Sequence, residues 1–284
     1  IWAYFLKNNN NIDLDDLFSK FNNISGRGPD NINFSYHKDK FITGFHRLSI
    51  MDTRSNGNQP FEYFYNNNTY ICICNGEIYN YKVLKKHVLM NFDYKFMSSS
   101  DCEVIIPLYI MYGSDIVKKL HGEFAFTIIM INEDNNYSTF ICRDGIGVRP
   151  LFIGINTNGN IGICSEVKGL IELFDNIKVF TPGTYMTYNN IDHLLLKTTY
   201  YNYSYKIDPN IGNTSIVSSL TKAVEYRLIS DVPTCALLSG GLDSSLICSI
   251  ASRILKEQNK ILYTYSIGMP GSTDAEYAKK VADY

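Results

Sequence analysis

One short glycine-rich segment constrains the fold of this chain more than any other stretch. It reads Ser239-Gly240-Gly241-Leu242-Asp243-Ser244 and follows the apolar run Ala236-Leu237-Leu238. Two adjacent glycines permit positive φ values and let backbone N–H groups come close to an anion. The apolar residues that follow have helical spacing, and a helix beginning near Ser244 would direct its positive end at the same place. The sequence therefore predicts a strand, a phosphate-binding turn and a helix in direct succession.

The same segment distinguishes between two kinds of phosphate chemistry. No lysine follows the glycines, whereas a Walker-type loop needs Gly-x-x-x-x-Gly-Lys-Ser/Thr to hold the β- and γ-phosphates. We therefore expect the turn to hold the pyrophosphate part of ATP while the α-phosphorus reacts, with Asp243 as a ligand of Mg²⁺. The simpler alternative is a plain strand-to-helix turn whose serines cap the helix. The complete Ser-Gly-Gly-x-Asp-Ser string favours nucleotide binding over that alternative.

Length and composition exclude several classes of protein. A chain of 284 residues is long enough for two domains, and 45% hydrophobic residues with a net charge of −2 are typical of a soluble globular protein. The 26 basic and 28 acidic residues form no basic stripe, so nucleic acid is not an expected partner. The longest apolar stretches, such as 124–131, are too short to cross a membrane, and residues 1–6 lack the basic start of a signal peptide.

The cysteines indicate a reducing compartment. There are seven, an odd number, mostly within apolar strand-like runs, so we expect buried free thiols in a cytoplasmic protein. None forms Cys-x-x-Cys, and the five histidines show no His-x-x-x-His spacing, so a zinc site is not predicted.

Hydrophobic patterning changes between the two ends of the chain. In the first part, strands are predicted at 1–6, 41–48, 70–74, 124–131, 138–143, 151–155 and 160–165, and helices at 13–21, 81–90, from Ser100 as N-cap, and near 167–174. Because these strands are mostly consecutive and hairpin-like, we expect antiparallel pairing.

A linker is predicted at 200–213, and the pattern after it alternates. Helices are predicted at 217–228, 246–254 and from about 274, with a buried strand at 234–238 and a second strand at 261–267. This order is typical of a parallel, doubly wound sheet. Two strands do not make a stable parallel domain, so we expect the chain to be a fragment of a longer protein.

Several motifs occur in an order that resembles a known family. They are Arg27-Gly28-Pro29-Asp30, Arg47-Leu48-Ser49-Ile50, Asn75-Gly76-Glu77-Ile78-Tyr79-Asn80, Ser100-Asp101-Cys102-Glu103, Gly122-Glu123-Phe124-Ala125-Phe126, Arg143-Asp144 through Pro150-Leu151-Phe152, and Ser165-Glu166 with Lys168. They resemble a class II glutamine amidotransferase domain of the Ntn-hydrolase type. The glycine-rich segment, with Ser230-Asp231-Val232-Pro233 before it, resembles the PP-loop of the ATP pyrophosphatases, as found in asparagine synthetases. Over essentially its whole length, the chain is similar to the glutamine-hydrolysing asparagine synthetase family.

The resemblance implies a fold and a division into domains. Residues 1–199 would form an α+β, Ntn-hydrolase-like αββα sandwich of antiparallel sheets, the glutaminase domain. Residues 214–284 would be the N-terminal part of an α/β, doubly wound, parallel-sheet PP-loop domain.

A glutamine site needs an anion hole for the tetrahedral intermediate and clamps for the α-amino and α-carboxylate groups. Arg47 can fork onto the carboxylate, and Asp101 can neutralise the ammonium. By resemblance, the Asn75 side chain and the Gly76 N–H form the oxyanion hole. The whole implied glutamine set is Arg47, Leu48, Ser49, Ile50, Met51, Asn75, Gly76, Glu77 and Asp101.

Each of these residues also has a simpler interpretation. Arg47 would be a surface ion pair, Asn75-Gly76 a hairpin turn, and Asp101 a helix-capping acid. Their joint occurrence in the family order favours the glutamine site.

The resemblance implies a nucleophile that the chain does not contain. The family uses an N-terminal cysteine whose own α-amine is the base, in a Cys-Gly pair immediately before Ile1-Trp2. Either the first residues of the full-length protein precede Ile1, which we expect, or the domain lacks the thiol. None of the seven internal cysteines can replace it, because the base must be the α-amine of the same residue. A second departure is Gly26, where the family usually has histidine.

The implied reaction is ATP-dependent asparagine synthesis. Aspartate attacks the α-phosphorus of ATP to give β-aspartyl-AMP and pyrophosphate, and ammonia from glutamine then releases asparagine and AMP. The implied ATP set is Leu238, Ser239, Gly240, Gly241, Leu242, Asp243, Ser244 and Ile267, with Asp243 holding Mg²⁺. A homodimer is common among such relatives. Two alternatives stay open: a β-lactam-synthetase-like ligase with an inactive glutaminase domain, and a non-catalytic paralogue that binds glutamine or ATP.

Overall fold

The computed structural model describes residues 1–7, 12–202 and 212–284. They belong to two compact units, Ile1–Ser204 and Tyr205–Tyr284. The asparagine run at 8–11 and most of the predicted linker at 200–213 lie outside the described residues.

The first unit is built from strands and short helices. Its strands are β1 (Trp2–Phe5), β2 (Asn31–His37), β3 (Phe41–Arg47), β4 (Phe61–Tyr65), β5 (Asn68–Ile78), β6 (Gly122–Ile131), β7 (Tyr137–Arg143), β8 (Phe152–Ile155), β9 (Ile161–Cys164), β10 (Ile177–Val179), β11 (Thr184–Asn189) and β12 (Leu195–Thr199). Its α-helices are α1 (Leu14–Asn22), α2 (Tyr81–Asn91) and α3 (Ile105–Tyr112). Short 3₁₀ turns lie at Ser25–Arg27, Ser55–Gly57, Cys102–Val104, Gly113–Lys118 and Val167–Gly169.

These strands form two six-stranded sheets. The first has the order β10-β8-β9-β1-β3-β2 and the second the order β12-β11-β7-β6-β5-β4. Neighbouring strands in both are antiparallel. The expectation of antiparallel pairing is therefore confirmed.

Alternation along β1 shows how the layers form. Trp2 and Tyr4 pack against α1, whereas Ala3 and Phe5 face the second sheet. Because both faces of β1 are buried, its sequence is continuously apolar. On the far side, α2 and α3 cover the second sheet through a core that includes Val88. The four layers are the αββα sandwich expected for the first unit.

Five strands were not predicted from the sequence. Four of them, β2, β4, β10 and β12, are the edges of the two sheets. Edge strands are half exposed, as in β2, where no residue is fully buried, and such strands lack a strong apolar pattern. The predicted helix near 167–174 is wrong beyond the 3₁₀ turn Val167–Gly169. Glu172 there has a left-handed φ of 69°, which a helix cannot contain.

The second unit alternates helices and strands. Its elements are α4 (Asn213–Arg227), β13 (Cys235–Leu237), α5 (Leu242–Glu257), β14 (Tyr263–Tyr265) and α6 (Thr273–Asp283). β13 and β14 are parallel, as expected. The prediction of a buried strand at 234–238 is partly wrong, because Leu237 is 82% exposed. Helices α5 and α6 pack on the side of Ala236 and Leu238, through Cys248 and Ala278.

No helix among the residues that the structure describes has both the length and the apolar character needed to cross a membrane.

Candidate functional site

A polar cavity in the first unit brings together most of the predicted glutamine-site residues. Its volume is about 150 Å³. It is lined by Ile1, Ile24, Arg27, Phe45, His46, Arg47, Leu48, Ile50, Met51, Gly57, Gln59, Cys74, Asn75, Gly76, Glu77, Ser100, Asp101, Cys102 and Arg149. Ser49 is the one predicted glutamine residue outside this lining. It lies in an adjacent groove, where its N–H donates to Asp30 Oδ2 at 2.7 Å.

Asn75 and Gly76 lie inside β5, so the hairpin interpretation of this dipeptide is wrong. They pair with Ala125 and Phe124 of β6. A Cβ atom at Gly76 would collide with the carbonyl oxygen of Glu123, which explains a glycine in mid-strand. The Asn75 Nδ2 atom is buried and has no hydrogen-bond partner in the described structure. An unsatisfied buried donor is costly unless a ligand accepts from it.

The Gly76 N–H points towards the cavity. On the same edge of β5, the Cys74 N–H donates to Gln59 Oε1 at 2.6 Å, and the Ile78 N–H donates to Asp101 Oδ2 at 2.6 Å. Backbone N–H groups of alternate residues in a strand face the same edge, so the Gly76 N–H lies between these two side chains. Gly76 and these two side chains, Gln59 and Asp101, all line the cavity.

Arg47, at the end of β3, is buried, and the interpretation as a surface ion pair is wrong. Its Nη1 donates to Arg54 O at 2.8 Å and to Asn58 Oδ1 at 2.7 Å. Its Nη2 donates to Met51 O at 3.1 Å and to Asp52 O. The terminal nitrogens of Arg47 therefore bind the loop 51–58. The predicted bidentate pair with a carboxylate would require Arg47 to exchange these hydrogen bonds for bonds to the substrate. The Nε–H is the guanidinium donor that this loop does not engage.

Two carboxyl groups, those of Glu77 and Asp101, lie in the cavity lining together with three arginines, Arg27, Arg47 and Arg149. Asp101 is 4% exposed and caps no helix with its side chain, so the capping interpretation is wrong. Burial raises the pKa of the Asp101 carboxyl above its ordinary value. Burial, followed by the charge of Asp101, raises the pKa of Glu77 to about 8, although Arg149 opposes this shift. Arg149 is itself paired with Glu123, with 2.9 Å between Nη2 and Oε1. A cationic group bound beside Glu77 and Asp101 would relieve the repulsion between these two carboxyl groups.

The sequence did not identify Arg149 or Gln59 as cavity residues. Arg149 reaches the cavity because the buried Asp144 carboxylate accepts four backbone N–H bonds from residues 146–149, at 2.6 to 3.1 Å. Gln59 holds the strand just before Asn75, because its amide also donates to Cys74 O at 3.2 Å. Both contacts join residues that are distant in the sequence, so the pattern of a short segment cannot predict them.

The glycine-rich segment of the second unit forms the predicted turn. Gly240 has a φ of 80°, as expected, whereas Gly241 has a φ of −73° and is the N-cap of α5. The helix therefore begins at Leu242, two residues before the predicted start. Ser239 Oγ and Ser244 Oγ lie 2.9 Å apart, so the serines brace the turn instead of capping the helix.

The remaining ATP-site candidates differ in exposure. Asp243 is exposed in the first turn of α5, and Ile267 is 97% exposed. Leu238 is 3% exposed and packs in the core of the second unit, so its side chain is not available to a ligand. Across residues 1–7, 12–202 and 212–284, no three His, Cys, Asp or Glu side chains are grouped to hold a metal ion.

Comparisons with known proteins match the two units separately. The sequence model of a family described as glutamine amidotransferase domain matches residues 1–209, and that of asparagine synthase matches residues 215–284. A probable glutamine-hydrolysing asparagine synthetase of Acanthamoeba polyphaga mimivirus is 37% identical, covering 96% of this chain and 52% of that protein. Asparagine synthetase 1 of Lotus japonicus is 36% identical, covering 92% and 44%. The chain spans about half the length of the curated relatives it matches.

A solved structure shows the same fold. Glutamine phosphoribosylpyrophosphate amidotransferase from B. subtilis, complexed with ADP and GMP, aligns with a TM-score of 0.56 and 18% identity, covering 92% of this chain and 64% of that one. With the αββα layers, this likeness gives the first unit the Ntn-hydrolase-like glutamine amidotransferase fold. By its fold and by the match over residues 1–209, the chain belongs to the glutamine amidotransferase domain family, and residues 215–284 match the asparagine synthase family.

Proposed function

We propose that this chain supplies the glutaminase part and the ATP-binding loop of an asparagine synthetase. In the proposed reaction, aspartate is activated by ATP as β-aspartyl-AMP, and ammonia released from glutamine converts the adenylate to asparagine. The order of the two family matches and the names of the curated relatives support this assignment.

The unpartnered Asn75 amide is the observation that carries the glutaminase part of the proposal. Attack on the glutamine amide places negative charge on the former carbonyl oxygen, and fixed N–H donors aimed at that oxygen stabilise the transition state. Asn75 Nδ2 and the Gly76 N–H provide two such donors at the cavity. Gly76 has to lack a side chain for β5 and β6 to pack, so the backbone donor is fixed by the sheet.

The cavity would recognise the α-carbon of glutamine by charge. Asp101 and Glu77 attract the α-ammonium, and its arrival relieves the repulsion between the two carboxyl groups. Arg47 provides the positive charge for the α-carboxylate, through Nε or by exchange of a loop contact. Opposite charges at two points orient the substrate so that its amide reaches Asn75.

The nucleophile would come from the residues that precede Ile1 in the family. Ile1 lines the cavity, and its buried main-chain nitrogen donates to Ser165 Oγ at 2.9 Å. A Cys-Gly pair joined to this nitrogen would therefore enter the glutamine site. The thiol would attack the amide carbon, and the α-amine of the same cysteine would accept the proton.

In the second unit, residues 239–244 would hold the pyrophosphate of ATP through backbone N–H groups and the start of α5. Asp243 would contribute one oxygen ligand to Mg²⁺, which commonly uses one or two carboxylates together with substrate phosphates. Bound Mg²⁺ would neutralise the phosphate charge. Ile267, exposed after β14, is available to the adenosine, and Leu238 would contribute through its backbone.

Small molecules, namely glutamine, aspartate and ATP, are the proposed partners, in a homodimer located in the cytoplasm. The thiols support a reducing location. All seven cysteines lie in the described residues and are free, and all but Cys235 are buried.

Hydrolysis of glutamine by the full-length protein tests the glutaminase assignment. We expect release of glutamate without ATP, loss of that activity after thiol alkylation, and a mature N-terminus of Cys-Gly-Ile-Trp by mass spectrometry. A different first residue, or hydrolysis that survives alkylation, would contradict the assignment.

Because the pKa of Glu77 is raised, we expect the binding of glutamine to depend on pH. With a pKa of about 8, Glu77 is mostly neutral at pH 7, and its ionised fraction grows about tenfold per pH unit below that pKa. Since the ionised form attracts the α-ammonium, the KM for glutamine should fall as pH rises from about 6 to about 8 and then level off. The Glu77→Gln variant should have a higher KM with a flatter profile. Identical profiles for the two proteins would exclude Glu77 from substrate binding.

A further inference from the structure

Asp52 is a buried acid that the proposed mechanism does not use. It follows the motif 47–50 and is 3% exposed. Its φ of 47° is left-handed, which costs energy for a residue other than glycine. Asp52 does not line the glutamine cavity, although its neighbour Met51 does.

The backbone of Asp52 holds one of the proposed clamps. Its carbonyl oxygen accepts a hydrogen bond from Arg47 Nη2, which also donates to Met51 O at 3.1 Å. The left-handed backbone at Asp52 is part of the turn that presents both carbonyl groups to one nitrogen. The position of the Arg47 guanidinium therefore depends on this turn.

The side chain of Asp52 binds the segment that precedes Asp101, the residue proposed to bind the α-ammonium. Its Oδ2 accepts the Ser99 N–H at 2.6 Å, two residues before Asp101. Arg54 Nη2 bridges the same pair, at 3.0 Å to Asp52 Oδ2 and 3.1 Å to Ser99 Oγ. Asn56 adds a parallel contact from its Nδ2 to Met97 O at 3.0 Å. The loop after Arg47 is thus tied to the segment before Asp101.

The Asp52 carboxylate is suited to this role because it stays charged. The pKa of Asp52 is lowered to about 2, mainly by its hydrogen bonds from the Arg54 guanidinium. The hydrogen bond from the Ser99 N–H lowers this pKa further. Charge-assisted hydrogen bonds of this kind are stronger than neutral ones.

We propose that Asp52 is a positioning residue that fixes the Arg47 guanidinium relative to the Asp101 carboxylate, and so gives the pocket its preference for the L configuration at the α-carbon. A D-amino acid whose amide lies at Asn75 presents its ammonium and carboxylate in exchanged positions. A rigid pair of opposite charges rejects that arrangement, whereas a loosened pair accepts it more readily. The inference rests on the proposed glutamine site.

The test uses full-length protein and the variants Asp52→Ala and Asp52→Asn. The readouts are kcat and KM for L-glutamine, the inhibition constant of D-glutamine, and ammonia-dependent synthesis. For Asp52→Ala we expect KM to rise about tenfold and the discrimination between L- and D-glutamine to fall about tenfold, with kcat and ammonia-dependent synthesis within about twofold of wild type. Asp52→Asn keeps an acceptor for the Ser99 N–H and should show a smaller effect in the same direction.

Asp115→Ala is the matched control, because this exposed acid forms a surface ion pair with Lys118 at 2.7 Å. The Asp115→Ala variant should leave the KM for L-glutamine and the inhibition constant of D-glutamine unchanged. If Asp52→Ala does not fold, Arg54→Ala removes the bridge to Ser99 from a side chain that is 65% exposed, and it should weaken discrimination. A lower kcat with unchanged KM and unchanged discrimination would show that Asp52 only supports the fold, and would overturn the inference. Wild-type protein that does not hydrolyse glutamine would instead overturn the proposed function on which the inference rests.

Discussion

Replacing Asn75 with alanine is expected to lower glutaminase turnover by roughly 10²- to 10³-fold and to spare ammonia-dependent asparagine synthesis. The substitution removes one of the two N–H donors directed at the developing oxyanion. In the described structure this donor is buried and has no protein partner, so no contact that supports the fold is lost with it. The loss should therefore appear in kcat for glutamine.

The measurement compares glutamine-dependent and ammonia-dependent rates in the same preparation. Asn176→Ala is a suitable control, because Asn176 is exposed and the change should affect neither rate. Equal losses of both activities in Asn75→Ala would contradict the oxyanion role and would indicate damage to the fold.

Changing Asp243 to asparagine is expected to reduce ATP–pyrophosphate exchange by roughly 10²-fold, with either nitrogen source. Asp243 is the acid of the glycine-rich turn and is exposed at the start of α5, so the change removes a charge without opening a core. Hydrolysis of glutamine in the absence of ATP should continue, because that site is built from residues of the first unit.

Asp274→Asn provides the comparison for this variant. Asp274 lies exposed in the first turn of α6, so the change tests the effect of losing an acid at a helix start. Exchange should stay near the wild-type rate in Asp274→Asn. Unchanged exchange in Asp243→Asn would remove Asp243 from the metal site.

The sequence predicted the inner strands well because burial on both faces leaves a continuous apolar run. β1, β3, β6 and β7 lie within their sheets and were all expected, whereas the edge strands β2 and β12 were not. An edge strand is held mainly by backbone pairing with one neighbour, so its side chains carry little of the pattern.

The family motifs predicted most residues of the candidate site, whereas the local preferences of short sequence segments did not. By local rules, Asn75-Gly76 is a hairpin dipeptide, yet it lies in mid-strand because β6 approaches too closely for any side chain at Gly76. The contacts of Arg47 with its own loop and the entry of Arg149 into the cavity depend on tertiary geometry. Such contacts join residues that no short window of sequence contains.

The most direct measurement follows the amide nitrogen. Full-length protein is incubated with ATP, Mg²⁺, aspartate and glutamine labelled with ¹⁵N in its side-chain amide. We expect asparagine labelled in its amide, together with AMP and pyrophosphate in equal amounts. Formation of ADP and phosphate, or failure of the label to reach asparagine while glutamine is consumed, would contradict it.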